Sequence, residues 1–431
     1  MILRLSDSLS RGLLVIGSLL VALWVSFFGV RSGIAGLAAD GKSMNELRWA
    51  VHLEPGNPEF WYRLGHYQQF NLEQPDVVAA VESYQKAIAL NPGYADAWLD
   101  LGAAYELDGN TAAAQDAFLR ARKSYPASAD VAWRYGNFLL RQGNLPQAFA
   151  ELRVALQADP RRAGAVFSRA YRADPDIDAI LSDLLPPLPA VYVDAIAEAV
   201  DSQQLAVAQT IWMRLIKLHP HLELREFSGF VATLQTHRDY EAARQVWDQG
   251  TSTMNLPPLI QPRDSVLWDP SFESGVSNNA FAWYFHTLVE GVHAELDTSE
   301  KLSGERSLRL TFDGKHNPGA DLACASGPVT PGTRYLFSGW VKTRNITGDQ
   351  GIRFHLKSIG NVQVPLESTR DIRGTMPWTS IEQDWTAGPG VHLVEVCVSR
   401  EPSTDPDIHI SGDAWVDDVT LVPKAVERRR P

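Results

Sequence analysis

The chain has 431 residues, 45% of them apolar and 21% charged, which excludes a wholly disordered chain, a collagen-like fibre and a polytopic membrane protein. Lys plus Arg number 39 against 51 Asp plus Glu, so the net charge is −12 and nucleic acid is not an expected partner. Cys324 and Cys397 are the only cysteines, which rules out a disulfide-dense scaffold and a four-cysteine zinc site.

Residues 12–30 (GLLVIGSLLVALWVSFFGV) carry no charge. As a helix they span roughly 28 Å, close to the hydrocarbon thickness of a bilayer. Arg4 and Arg11 precede the run and Arg31 closes it. A secretory signal has an apolar stretch of only about 7–15 residues, so the run predicts an uncleaved single-pass anchor. The small residues Gly36 and Ala38 keep a cleaved signal as the alternative. The expected location is the inner (cytoplasmic) membrane, with a cytoplasmic tip and the bulk of the chain periplasmic or otherwise extracytoplasmic. Gly36 to Ser43 formally fits G-x-x-x-x-G-K-[ST], but a phosphate-cradling loop needs a buried strand before it. The prediction is therefore no nucleotide site, and a flexible, solvated spacer up to residue 43.

A period of 34 residues follows. Pro92, Pro126 and Pro160 keep it, as do Ala87, Ala121 and Ala155, and Ala80, Ala114 and Ala148. Tyr84, Phe118 and Leu152 form another row, and Gly102 and Gly136 a fourth, joined by Gly65 after an insertion near residues 71–75. Each unit reads as two helices: small residues let the pair approach, the aromatic or Leu fills the gap, and Pro ends the second helix. Trp98, Leu101, Gly102, Tyr105, Ala114, Phe118, Ala121 and Pro126 together resemble the tetratricopeptide repeat. A partial unit with Leu47, Ala50 and Pro55 precedes the clear ones and matches only a second helix. Beyond residue 160 the prolines of residues 174–189 break the pattern, and two weaker pairs follow, at 192–220 and 226–249. The predicted all-α solenoid covers 44–250. In the resembled family, first helices line a concave groove that holds a protein partner. Mapped here, that groove would present Tyr62, His66, Gln69, Leu99, Glu106, Trp133 and Asn137, without a cluster of Lys and Arg to clamp a carboxylate.

Residues 251–263 are proline-rich and read as a linker. Beyond them, short alternating runs predict strands: 307–312, 335–342, 352–356, 391–398 and 414–422. About 160 residues, 264–423, suffice for nine or ten strands of a sandwich, with 424–431 left as a tail. Asp269-Pro-Ser-Phe-Glu273, Ser303-Gly-Glu-Arg-Ser-Leu308, Pro331-Gly-Thr-Arg-Tyr-Leu-Phe-Ser338, Trp378-Thr and Trp415-Val-Asp-Asp418-Val, in that order, resemble jelly-roll carbohydrate-binding modules. The whole therefore reads as a multidomain chain: transmembrane helix, all-α solenoid, all-β jelly roll.

Sugar rings lie on aromatic faces while carboxylates and amides bond their hydroxyls. Trp283 and Tyr284, after Asn278-Asn279, with Trp385 and Arg353, are the glycan-binding candidates, plain core packing being the other reading; Trp340 and Trp415 are expected in the core. The resemblance implies a structural calcium at Glu273 and Asp417, hard oxygen ligands of the first and last strands, against simple surface carboxylates. Cys324 and Cys397 lie in predicted strands and are either a disulfide or two buried thiols.

No nucleophile elbow, H-E-x-x-H or C-x-x-C occurs, so no catalytic residue is assigned and no enzyme is predicted. The expected function is a membrane-anchored extracytoplasmic scaffold. Its solenoid would dock a protein, its sandwich would bind glycan, and it would be accessory to polysaccharide or envelope assembly. Two alternatives stay open: a polysaccharide hydrolase or transferase with the sandwich as catalytic domain, and a structural assembly factor whose sandwich binds protein.

Overall fold

The computed structural model describes residues 8–41, 43–256, 259, 265–274, 280–286, 288–359, 366–405 and 409–424. Arg4, Lys42, the linker prolines Pro257, Pro258 and Pro262, the pair Asn278-Asn279 and the predicted tail beyond Lys424 lie outside these residues.

α1 (Ser8–Ala39) is a single helix. Its stretch Gly12–Ala39 has a mean hydropathy of 2.5 and is long and apolar enough to cross a membrane. Leu13, Leu20, Leu23 and Phe27 stay exposed. The predicted spacer is not there. The helix runs on through Arg31 to Ala39, because Ala35, Ala38 and Ala39 pack with Leu47, Ala50, Phe60 and Leu64 in one core. Arg31 Nε donates to Leu53 O at 2.7 Å, fixing this end of α1 against α2 (Met44–Leu53). The last turns of α1 thus supply the first helix that the partial repeat lacks in sequence. Gly36 to Ala39 finish α1, and Ser43 caps α2 in a capping box with Glu46, so the loop-like motif is divided between a helix end and a helix cap.

Three pairs follow: α3 (Pro58–Phe70) with α4 (Val77–Leu90), α5 (Ala95–Leu107) with α6 (Thr111–Ser124), and α7 (Ala129–Arg141) with α8 (Leu145–Ala158). Their starts are written in Asn57, Asp76, Asn110 and Ser128, whose side chains accept from the first-turn amides. Within each pair a glycine meets the large residue of its partner helix. A Cβ on Gly65 would lie 2.9 Å from Tyr84, on Gly102 3.0 Å from Phe118, and on Gly136 2.7 Å from Leu152. Trp61 and Trp98 each donate Nε1 to a preceding proline carbonyl, Pro55 O and Pro92 O, both at 2.8 Å.

α9 (Ala163–Ala173) begins a further unit, whose second half is only α10 (Ile177–Ala179) and a π-turn, Ile180–Leu184, before Pro186 and Pro187. Two more pairs form, α11 (Pro189–Asp201) with α12 (Leu205–Ile216) and α13 (Leu224–Thr236) with α14 (Tyr240–Thr253). The chain divides into two compact units, Met1–Pro186 and Pro187–Pro431, so these last two pairs belong with the sandwich. Trp247 of α14 explains the grouping: its ring meets Trp268 at 5.1 Å and Phe281 at 5.6 Å, edge to face.

Among the described residues, the sandwich has ten strands in two antiparallel sheets. The first has the order β1 (Tyr284–Phe285), β4 (Ala320–Pro328), β9 (Leu393–Arg400), β6 (Arg353–Ile359), β7 (Glu367–Ser368). The second has β2 (Val292–Asp297), β3 (Ser307–Asp313), β10 (Ser411–Pro423), β5 (Arg334–Ile346), β8 (Gly374–Thr386). Alternation sends Val394, Val396, Val398, Phe354 and Leu356 of one sheet onto Leu308, Leu310, Phe337, Ala414 and Val416 of the other. Trp415 takes the face opposite Ala414 and Val416, where Arg309, Lys342 and Arg344 cover its ring, so it is buried outside the main core. Trp340, on that same outer side, is half-buried rather than a core residue.

Candidate functional site

The helical unit gathers part of the predicted groove. Tyr62 and His66 lie side by side, their rings 5.9 Å apart, and His66 Nδ1 pairs with Asp100 Oδ2 at 3.1 Å. Burial alone would raise the Asp100 carboxyl, but hydrogen bonds from His66 and Arg134, with the Arg134 charge, hold it below the usual range. Three groove assignments need correction. Leu99 is fully buried between repeats. Gln69 is buried too, accepting from Tyr84 OH at 2.7 Å. Asn137 is also inside, donating to Trp133 O and accepting from Arg169 Nη1 at 2.8 Å. Glu106 is held by two hydrogen bonds from Arg141, each 2.7 Å.

The expectation that cationic side chains are not clustered here also fails. A depression of about 320 Å³ between α7 and α9 is lined by Asn137, Leu140, Arg141, Arg169 and Arg172. Arg169 lies over Trp133, its guanidinium carbon 4.5 Å from the ring centroid. Two of these arginines come from beyond the recognisable repeats, so the repeat alignment could not bring them to Arg141. At the other end of α7, a depression of about 620 Å³ carries Glu59, Asp96 and Asp130 beside Tyr94 and Tyr125. Burial and the neighbouring carboxylates Asp100 and Asp130 push the Asp96 carboxyl upward.

In the sandwich, Trp283 and Trp385 are corrections. Each is 1% exposed and packed in the main core, Trp283 with its Nε1 donated to Asp269 O at 3.0 Å, so neither offers a ring face to a sugar. Arg353 lies at the end of β6, donating to Gln350 at 2.7 Å. Tyr284 does lie on the outward face of the first sheet, among residues that sequence reasoning passed over. Its hydroxyl donates to Glu395 Oε1 at 2.7 Å, and its ring meets His286 at 5.0 Å, near edge to face. Burial, then the Glu395 bond, push the Tyr284 hydroxyl well above its ordinary value, so it remains a donor. Glu395 Oε2 accepts from Lys357 Nζ at 3.2 Å, and Lys357 also bonds Asp321. His355 bridges Asp321 Oδ1 at 2.9 Å and Glu401 Oε1 at 3.1 Å. Burial would raise the Asp321 carboxyl, but hydrogen bonds from His355, Lys357 and Ser399 override it and hold it far below the usual range. Period-two spacing was the available signal: Arg353, His355 and Lys357 share one face of β6, and Glu395 and Cys397 one face of β9.

Cys324 and Cys397 are directly opposite in β4 and β9 and are joined as a disulfide under this network. Tyr284 pairs in register with Cys324.

Glu273 and Asp417, the calcium candidates, both accept from backbone amides. Glu273 Oε1 accepts from Glu305 N at 2.9 Å, while Asp417 accepts from Leu302 N, Ser303 N and Asp418 N. Neither belongs to a convergent set: among the described residues, the one group of three ligand-type side chains with atoms within 4.8 Å of one another is Asp321, Cys324 and Cys397. The disulfide removes both sulfurs of that group from metal chemistry. Instead, Glu273 and Asp417 hold the turn before β3, where Gly304 takes φ 61° and a Cβ would strike Glu273 Oε1 at 2.1 Å.

Comparison with known proteins follows the same division. A search of curated proteins finds no match. The sandwich is similar to the xylan-binding CBM22-1 domain of Paenibacillus barcinonensis Xyn10C, at 15% identity over 39% of this chain and 99% of that one, TM-score 0.27. It is similar also to the CBM22-1–GH10 modules of Clostridium thermocellum Xyn10B complexed with xylohexaose, at 15% identity over 38% of this chain but only 28% of that one, TM-score 0.27. The helical part is similar to pilF of Pseudomonas aeruginosa, at 20% identity over 46% of this chain and 76% of that one, TM-score 0.25. Family descriptions match as a TPR repeat over residues 76–109 and as a tetratricopeptide repeat over 108–163. With glycine facing a large side chain in each helix pair, residues 76–163 are an array of tetratricopeptide repeats.

Proposed function

We propose that the protein is a membrane-anchored binding protein whose repeats dock a partner protein and whose first sheet face takes a saccharide, rather than a catalyst. α1 is the anchor, and the repeats and sandwich lie beyond the cytoplasmic side of the lipid. The observation that carries the docking reading is the pair of oppositely charged depressions at the two ends of α7: Glu59, Asp96 and Asp130 at its start, Arg141, Arg169 and Arg172 at its close. A partner segment with basic and acidic residues in matching order is fixed in one register by such an arrangement. Arg169, already stacked on Trp133 and held by Asn137, is preorganised to receive a carboxylate in forked geometry. The saccharide reading is supported by Tyr284, whose ring is fixed from two sides, and by the carboxylate of Glu395 beside it. The carboxylates of this face are paired with His355 and Lys357, which suits holding hydroxyl groups more than cycling a proton.

The docking test uses the full chain in detergent against an array of mixed-charge peptides, followed by fluorescence anisotropy on the binders. Arg169→Glu is expected to weaken a bound peptide at least about tenfold, and more at low salt. Peptide binding that ignores Arg169→Glu, Arg172→Glu and Asp130→Lys alike refutes this docking site.

A further inference from the structure

The outward face of the first sheet is not open on all sides. α13 faces it, and the two together line a partly open cavity of about 290 Å³. The helix contributes Ala232, Gln235 and Thr236; the sandwich contributes Ala280, Tyr284, Ser326, Ile359, Leu393 and Glu395. Helix and sandwich belong to the same compact unit, so this wall and the sheet face lie within one body.

Three features of the lining point to one class of ligand. Tyr284 and the apolar side chains Ile359 and Leu393 provide a surface for C–H faces. The Tyr284 hydroxyl, Ser326 and Glu395 provide fixed polar groups around it, Glu395 already holding Tyr284 at 2.7 Å. Gln235 Nε2 is a buried amide donor with no hydrogen-bond partner. A buried donor left unmet is costly, and turning the Gln235 amide toward a ligand oxygen in the cavity relieves that cost. Lys357, which bonds Glu395 at 3.2 Å, is shared with Asp321, and no Lys or Arg is among the residues that line the cavity, so it offers no free positive charge to an anionic ligand. Hydroxyl-rich, uncharged ligands are therefore favoured over uronic acids or phosphates. The volume lies at the bottom of the range of about 300–1,000 Å³ typical of small-molecule sites, and the helix bounds it on one side. A small cavity with a helix as one wall suits a chain end better than the middle of a polysaccharide.

We propose that this cavity captures the terminus of a neutral oligosaccharide, with Gln235 and Glu395 bonding hydroxyls and Tyr284 under the terminal ring. The proposal rests on the saccharide reading above and adds that recognition is of a chain end, imposed by a helix that the sandwich alone lacks.

The experiment titrates the full chain, in detergent, with neutral β-linked gluco-, manno- and xylo-oligosaccharides, each as triose and hexaose, by isothermal calorimetry. At least one series is expected to bind, with triose and hexaose within about threefold of each other, because only the end is held. Ala232→Trp, which fills the cavity from the helix side, is expected to weaken that binding at least about tenfold, and Gln235→Ala about fivefold. Thermal melts of both variants establish that they are folded, and Gln235→Ala alone suffices should Ala232→Trp disturb α13. Hexaose binding that is more than about tenfold tighter than triose binding and indifferent to both substitutions overturns end capture while leaving saccharide binding intact. Silence on every sugar overturns both.

Discussion

Asp321 receives hydrogen bonds from His355, Lys357 and Ser399, and that concentration makes it the residue on which the order of the sheet face depends. Its carboxyl is depressed in the folded chain relative to the unfolded one. The stability it contributes is therefore fully present above the ordinary carboxylate range, and is lost as pH falls through the depressed folded-state value. Asp321→Asn is expected to cost about 1–3 kcal/mol at pH 7, read from denaturant titration, with a smaller difference from wild type at pH 3. An undiminished difference at pH 3 contradicts the charge-based account. At this scale the sequence was a partial guide. Tyr284 was found because aromatic residues in a run are conspicuous, but Trp283 beside it, chosen on the same ground, belongs to the core. Residue type does not decide the face of a two-residue strand such as β1; the pairing of Tyr284 with Cys324 does. Asp321, His355, Lys357 and Glu395 were passed over because they lie on three separated strands, which adjacency in sequence does not bring together.

At the scale of elements, a repeat is specified by which small residue faces which large one. Gly136 and Leu152 are the tightest such pair in the clear repeats, and a methyl on Gly136 has no room without moving Leu152. Gly136→Ala is expected to destabilise the helical unit by about 1–3 kcal/mol in urea melts, and Leu152→Ala added to it to be less damaging than the sum of the two single changes. Full additivity counts against direct packing of the pair. The same logic explains how much of the solenoid was legible. The clear repeats carry Gly109 and Gly143 at the left-handed turn between their helices, φ 78° and 74°. The weaker pairs make the equivalent turn with Gln203 and Arg238, φ 59° and 63°, so the geometry persists after the signature residue has gone. In the sandwich, β3, β5 and β10 were legible from alternation. β4, which holds Cys324, shows no alternation, because its run ADLACASGP is small-residue-rich and buried on both faces, which erases the period of two.

For the whole molecule, the decisive element is α1. Its apolar surface is exposed, and the anchor reading predicts that the full chain sediments with membranes and resists alkaline extraction. Removal of residues 1–30 is expected to release the remainder into the soluble fraction. Full-length chain recovered in the soluble fraction refutes the anchor. A deletion reaching residue 39 is expected to do more than release the protein, because it removes Ala35, Ala38 and Ala39 from the first repeat's core, and its melt should fall below that of the shorter deletion.

The uninterrupted passage of α1 into that core has a mechanical meaning. A tether that ended in a slack joint would let its cargo wander and turn freely above the lipid. Here the joint is a helix clasped by three alanines and by the hydrogen bond from Arg31 to Leu53, so the rod and the first repeat move as one lever. If the rod is seated in a bilayer, a change of thickness that retilts it is expected to swing the repeats with it. On the anchor reading, whatever they hold would be carried along, at a height above the lipid that the protein itself dictates.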